Sequence, residues 1–305
     1  MRLLVWDGAS VRLGIRYGVL SLVILTLSVV ASACSASTQE IGQNTEQGGE
    51  QSSQPAEVIT GNAAALTSMM DASAVYLSET HTEVADHAAQ LEIIQALDQQ
   101  NEIAIALEMF QRPFQPVLDA YIAGEITEAE LVAQSEYETR WGFDWELYAP
   151  IVRYAKENQI PLIALNTPAE ITRQVATKGL ESLGGEDLQF IPPVDEIDLS
   201  NEAYRDSLMS VFSAHGGHGN SDGFENFFAA QVLWDETMAE GVAKQLAAEP
   251  ERQVVVLAGE GHVGYGYGIP DRVRRRLPEV KQISVEFVGA EESVKPGFTD
   301  LSWRL

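Results

Sequence analysis

The stretch YLSETHTEVADH, residues 76–87, sets Glu79, His81, Asp86 and His87 just beyond an apolar run and holds two of the chain's five histidines. Glu79 and His81 are spaced i, i+2, so an extended backbone turns both side chains the same way. That pattern suits two metal ligands, or a general base and the carboxylate that orients it. Similar groups follow three other apolar runs: Glu108 and then Arg112 at the end of IAIALEMF, Asn166 at the end of PLIALN, and Glu260, His262, Tyr265 and Tyr267 in GEGHVGYGYG. In AAQVLWDETMA, Gln231 and Asp235 lie one helical turn apart beside Trp234, as the wall of a pocket would. Each residue alone has an ordinary explanation: Glu79 as a helix cap, His87 as a core histidine, Glu108 as the partner of Arg112, Asn166 as a turn residue. Four runs delivering carboxylate, imidazole, amide or phenol to one place argue for a common site.

The elements needed to position these groups follow from periodicity. Continuous apolar runs predict strands at 74–78, 103–110, 161–166, 252–259 and 282–288, and amphipathic spacing predicts helices between them, beginning with 83–100. His87 shares a helix face with Leu91 and Ile94 and points inward. Further helical stretches are expected near 114–135, with a Thr127–Glu130 capping box, and at 146–158, 168–180, 201–214 and 223–247. This alternation predicts an α/β fold: a mainly parallel sheet with helices on both faces and a helical insertion, residues 183–250, between the third and fourth strands. In such a sheet ligands bind beyond the carboxyl ends of the strands, where the polar groups fall. His215 and His218 flank two glycines inside the insertion and are expected in a flap over the site.

Composition narrows the partners. A net charge of −26 argues against nucleic acid, whose backbone calls for basic patches. The sole cysteine, Cys34, rules out an intrachain disulfide and any Cys-based zinc cluster. Arg2, Arg12 and Arg16 precede the uncharged run YGVLSLVILTLSVV, then Ala31-Ser32-Ala33 and Cys34. That order reads as a secretory signal over 1–33, and the cysteine's position resembles the lipidation site of a bacterial lipoprotein signal. Residues 34–56 are poor in apolar residues and read as a flexible tether. The folded domain is expected over 57–305, on the bacterial cell envelope outside the cytoplasm.

LSETHTEVADH, ALEMFQRPFQPVLDAY, PLIALNTP, AAQVLWDETMA and AGEGHVGYGYGIPDRV together resemble the ChaN-like haem-binding lipoprotein family, within a superfamily that includes Tiki, TraB and erythromycin-esterase-like proteins. The resemblance implies haem as cofactor, a lipid anchor and a part in iron uptake. Its G-E-x-H, Glu and G-x-x-H motifs fall on Glu79 with His81, on Glu108, and on Gly259 with His262; Ser78 stands where the first motif usually has Gly. Iron-ligand candidates are His262, Tyr265, His81 and His87. Arg112 or Arg272 would meet propionates, and Glu108, Asn166, Gln231 and Asp235 would complete the cofactor site. The alternative is a hydrolase, metal-dependent or acid/base, in which Glu79, His81, Glu108 and His262 hold a divalent metal ion or activate water. The expected partners are haem, a membrane through lipidated Cys34, and a second copy of the chain as a homodimer.

Overall fold

A computed structural model describes residues 59, 60, 62–214 and 221–305. Cys34, the signal, the tether, His215 and His218 lie outside the described residues. The chain runs β1 (Ile59–Thr60), α1 (Asn62–Met70), β2 (Ala74–Glu79), α2 (Val84–Asp98), β3 (Ile103–Gln111), α3 (Gln115–Ile122), α4 (Glu128–Gln134), α5 (Tyr137–Arg140), α6 (Trp145–Glu157), β4 (Leu162–Asn166), α7 (Ala169–Lys178), α8 (Glu202–Ala214), α9 (Ser221–Ala248), β5 (Gln253–Gly259), α10 (Glu260–Val263), α11 (Ile269–Arg276), β6 (Gln282–Val288) and β7 (Leu301–Arg304).

The seven strands form one sheet in the order β1-β7-β6-β2-β5-β3-β4, and every neighbouring pair is parallel. The five strands expected from apolar runs are all present, and the short strands β7 and β1 extend the sheet beyond β6, with β1 at the edge. Strands buried on both faces carry nearly unbroken apolar sequence, as β2, β3 and β5 do. Their side chains alternate between two cores. Val75, Leu77, Ile105, Leu107, Val255 and Leu257 pack with α1, α2, α3 and α6. Tyr76, Ala106, Val254, Val256 and Ala258 pack against α9 and α11 on the opposite face.

The insertion lies where expected, but its long helix is not a lid. Met238, Ala239, Val242 and Leu246 of α9 belong to the second core, so α9 is a layer of the main fold. The stretch 114–135 divides into α3 and α4 at Gly124, whose φ of 76° suits glycine. Thr127 and Glu130 form the expected capping box at the start of α4. Among the described residues no helix is long and apolar enough to cross a membrane.

Candidate functional site

Strand alternation splits the site into two halves at the carboxyl edge of the sheet. Glu79, the last residue of β2, falls on the α2/α6 side. Its Oε1 accepts from the Tyr148 phenol of α6 at 2.6 Å and pairs with His81 Nδ1 at 2.9 Å. Its Oε2 accepts from Gln90 Nε2 of α2 at 2.7 Å. A carboxylate so held fixes the ring orientation of His81 and leaves Nε2 open to another partner. The His81 ring lies 4.8 Å from Trp141 and 4.9 Å from Phe143. Burial opposes its protonation, but the Glu79 hydrogen bond and the charges of Glu108 and Glu79 outweigh burial and raise its pKa.

The second half lies toward α9. Glu108 sits where β3 leaves its register with β4, between the pairs Leu107–Ala164 and Gln111–Asn166. Such irregularities re-aim side chains beside functional sites. Asn166 bridges the gap by donating from Nδ2 to the Glu108 carbonyl at 2.7 Å. Glu108 Oε2 accepts from the Gly259 amide at 2.7 Å, and Oε1 lies 3.3 Å from His262 Nε2. His262 Nδ1 meets Asp235 Oδ1 at 2.6 Å and lies 3.2 Å from Gln231 Nε2. Asp235 Oδ2 accepts from the buried Tyr204 phenol at 2.7 Å.

Burial pushes the Glu108 carboxyl up, but the His262 and His81 imidazoles and the Gly259 amide pull it down to about 2. Burial pushes His262 down, but Glu108 and Asp235 on its two sides lift it to about 10. His262 is therefore an imidazolium clamped between carboxylates. Gly259 joins the halves: a Cβ there would stand 2.8 Å from His81 Cε1 and 3.7 Å from Glu108 Oε2. Only a residue without a side chain lets the two approach.

The candidates separate accordingly. Glu79, His81, Glu108, Asn166, Gln231, Asp235 and His262 come together. His87 does not offer a free ligand: Nδ1 faces Gln90 Oε1 at 3.0 Å and Nε2 faces the His81 carbonyl at 3.1 Å. It buttresses the turn that carries His81. Arg112 does not pair with Glu108. It reaches α9, donating to Glu240 Oε2 at 2.7 Å and to the Thr237 carbonyl. Arg272 is buried, donating to the carbonyls of Gly268 and Tyr267 beside Glu236. Neither arginine is open to a propionate. Nor do the donors converge as a metal centre: among the described residues no group of three or more His, Cys, Asp or Glu is placed to hold a metal ion. Ser78 spends its hydroxyl on the Val285 carbonyl at 2.8 Å and so fits its strand.

Tyr265 stands apart on the lip. Its side chain is 49 % exposed, and it is the one aromatic among the exposed large apolar residues described. Its φ of 55° is left-handed, a conformation that costs a non-glycine residue energy and so marks a position held by its surroundings. The ring stacks on Tyr267 at 5.6 Å and meets the Phe298 edge at 5.1 Å, and its amide donates to the Phe298 carbonyl at 2.6 Å. Gly264 makes room, because a Cβ there would collide with the Phe298 ring.

Sequence reading missed Gln90, Tyr148 and Tyr204. Gln90 left a signal, a polar residue three places after His87 on an inward helix face. The two tyrosines left only a phenol on apolar helices, and a buried phenol calls for a partner.

An all-parallel sheet between two helical layers, with carboxylate–imidazole units at its carboxyl edge, defines an α/β protein of the class in which ligands bind at the strand ends. Residues 65–273 match the family described as haem-binding uptake, Tiki superfamily, ChaN. The chain belongs to that family. Its fold is similar to that of ChaN of Campylobacter jejuni, described for cofacial haem binding, with a TM-score of 0.62 and 18 % identity over 79 % of this chain and 90 % of that one. A mutant of the erythromycin esterase EreC in its open conformation aligns with a TM-score of 0.45 and 17 % identity, over 77 % of this chain and 75 % of that one. Protein RETICULATA-RELATED 5, a chloroplastic protein of Arabidopsis thaliana, is 26 % identical over an alignment of 232 residues that covers 71 % of this chain and 31 % of that protein, so the chain spans about a third of that relative's length.

Proposed function

We propose that the protein binds haem on the lip formed by Gly264–Tyr267 and Phe298, where the Tyr265 phenol would hold the iron. Lipidated Cys34 would hold it on the bacterial cell envelope, where it serves haem or iron uptake. Tyr265 is the observation that carries the reading. A half-exposed phenol, held in a left-handed conformation and backed by two aromatic rings, fits a flat apolar ligand with a metal at its centre. The other candidates fit less well, since His262 and His87 have both ring nitrogens engaged. His81 keeps Nε2 open but is only 17 % exposed beneath Trp141 and Phe143. Bound haem would supply an iron that takes an oxygen or nitrogen donor axially. A second copy of the chain would meet the first at this exposed lip. The anchor and location rest on the basic, apolar and small-residue order that ends at Cys34.

The test is titration of the protein with haemin, followed by absorption. Tyr265→Phe is expected to weaken binding and shift the spectrum, while His81→Ala and His262→Ala leave the spectrum as it is. A Tyr265→Phe variant that binds like the wild type refutes the assignment. Cys34→Ser is expected to leave the membrane fraction, because each buried acyl CH₂ contributes ~0.8 kcal/mol to anchoring.

A second reading draws on one observation, the open Nε2 of a His81 oriented by Glu79. That pair is built to take a proton from water. At the end of β4 on the same carboxyl edge, Asn166 Oδ1 and Thr167 Oγ1 are buried without hydrogen-bond partners, which a bound polar group would relieve. Ester hydrolysis abolished by both His81→Ala and Glu79→Gln would favour this reading.

A further inference from the structure

Tyrosines stand in a row from the lip inward. Tyr265 stacks on Tyr267 at 5.6 Å, and Tyr267 meets Tyr204 of α8 at 6.0 Å. Both spacings are those of rings in contact, close enough for an electron to step from ring to ring. Exposure falls along the row: Tyr265 is half-exposed, Tyr267 partly covered and Tyr204 buried. The buried end has a proton acceptor, because the Tyr204 phenol donates to Asp235 Oδ2 at 2.7 Å. Neither haem binding nor ester hydrolysis uses that arrangement.

We propose that Tyr265, Tyr267 and Tyr204 form an electron path, along which buried Tyr204 reduces an oxidised group on the lip. The path is read from the rings and from Asp235; its use with a peroxide as oxidant rests on the haem reading above.

One electron leaves the Tyr204 ring and crosses Tyr267 to replace the electron lost at Tyr265. The Tyr204 O–H bond breaks, and its proton forms a new O–H bond on Asp235 Oδ2. Tyr204 ends as a neutral phenoxyl radical and Asp235 as a carboxylic acid. Hydrogen peroxide is the co-reactant: its reduction to water at a haem on the lip takes two protons from solvent and two electrons, one along the path and one from the haem.

The surroundings of Tyr204 require the proton to move with the electron. Burial and then the Asp235 charge hold its pKa well above the ordinary phenol value, so the proton does not leave first. The Arg272 guanidinium stands 5.4 Å over the ring and opposes a positive charge there, so the electron does not leave first either. A hydrogen bond to an ionised carboxylate is short and strong and gives the proton a place to go. Asp235 also faces His262 Nδ1 at 2.6 Å, and His262 keeps Glu108 at 3.3 Å on its other side when Asp235 is neutralised. Phe228 packs against Tyr204 at 6.2 Å, and Tyr204 is 3 % exposed, so a radical there is shielded from solvent and from a second chain. Tyr148 offers the contrast within the same molecule. Its buried phenol also donates to a carboxylate, Glu79 at 2.6 Å, but its ring packs on His87, Tyr137 and Trp141, away from the lip.

The path is tested first without haem. Tris(bipyridine)ruthenium(III), made by a light flash with a cobalt(III) ammine as electron sink, oxidises the protein surface, and electron paramagnetic resonance reads the product. The proteins compared are the wild type, Tyr204→Phe, Tyr267→Phe and Tyr148→Phe. A long-lived tyrosyl signal is expected in the wild type and in Tyr148→Phe, and its loss in the other two; its formation should slow in D₂O. Tyr267 is only partly covered, so Tyr267→Phe decides the matter should Tyr204→Phe fail to fold. No such signal in the wild type, a signal that survives Tyr204→Phe, or one that Tyr267→Phe leaves at full yield overturns the path, and haemin titration of the same proteins decides the haem reading separately. Haemin-loaded wild type mixed with hydrogen peroxide should give the same signal. A signal with light but none with haemin and peroxide overturns the seating of haem on Tyr265 and leaves the path standing.

Discussion

Replacing Glu108 by Gln removes one charge and little else. The amide oxygen of Gln can still accept from Gly259 N–H, so the altered interaction is the 3.3 Å approach to His262 Nε2. At that distance two charges in an effective dielectric near 20 attract by roughly 5 kcal/mol. Desolvation takes part of this back. The fall of the Glu108 pKa from 4.5 to about 2 corresponds to about 3 kcal/mol at ~1.4 kcal/mol per unit. Loss of one partner from a buried pair costs a similar amount, about 3–5 kcal/mol. For a domain of this size each kcal/mol moves Tm by about 2–4 °C, so Glu108→Gln should melt about 6–12 °C below the wild type. The pH dependence is the sharper part. Glu108 is depressed on folding, so its contribution is complete above pH 4.5 and is lost as pH falls through about 2. His262 is raised on folding, so its contribution is complete below pH 6.5 and is lost as pH rises through about 10. Thermal melts across pH should show the widest gap between wild type and variant from 4.5 to 6.5, narrowing on both sides. A gap that stays the same size from pH 2 to pH 10, or none at pH 6, would refute the clamped imidazolium.

Two further outcomes test the turn and the join. Asp86 is buried and accepts from the Thr80 amide at 2.9 Å, and burial, the largest effect on it, lifts its carboxyl to about 6. A carboxyl raised on folding lends stability that is present below its ordinary pKa and lost as pH rises through 6. Asp86→Asn should therefore match the wild type near pH 4 and exceed it in Tm at pH 8; equal melts at pH 8 would sink the idea. Gly259→Ala puts a methyl 2.8 Å from His81 Cε1. Overpacking of that kind costs about 1–3 kcal/mol and should displace His81 from its perch. An NMR titration of His81 unchanged from the wild type would show that the contact is not tight.

Much of this arrangement was legible because parallel strands must be apolar on both faces. LIALN and QVVVLAG announce themselves, and the residues after them fall by topology at one edge. β1 and β7 left no such mark: two and four residues are too short for periodicity, and their pairing joins segments 242 residues apart in sequence, as Asn62 and Arg304 show. The SETH and GEGH segments fall side by side for the same reason, since β2 and β5 are hydrogen-bonded neighbours from Ala74–Val254 to Glu79–Gly259. What spacing could not reveal is how the imidazoles are used. His81, His87 and His262 look alike in sequence, and only the neighbours supplied by α2, α6 and α9 make one open, one a buttress and one a clamped cation. The fates of Arg112 and Arg272 were hidden in the same way, because their carboxylate partners lie on α9, more than 30 residues away in the chain in each case.

The entry of the chain into the sheet bears on how the domain would respond to pulling. β1 joins β7 at two positions only, Ile59 with Leu301 and Thr60 with Ser302. Just beyond it, Asn62 is bonded to both the amide and the carbonyl of Arg304, each at 2.9 Å. A force applied from the N-terminal side meets this short edge before it meets the core. Bonds loaded one after another at an edge part more easily than a long ladder loaded all at once, so β1 would peel first. The next strand in, β7, is held to β6 at four positions and by buried Leu301 and Trp303. The carboxyl edge that carries Glu79, Glu108 and His262 belongs to β2, β3 and β5, with β6 and β7 between it and the load. Tension on the amino-terminal segment would thus be absorbed in a sacrificial edge strand, leaving the site mechanically insulated from it.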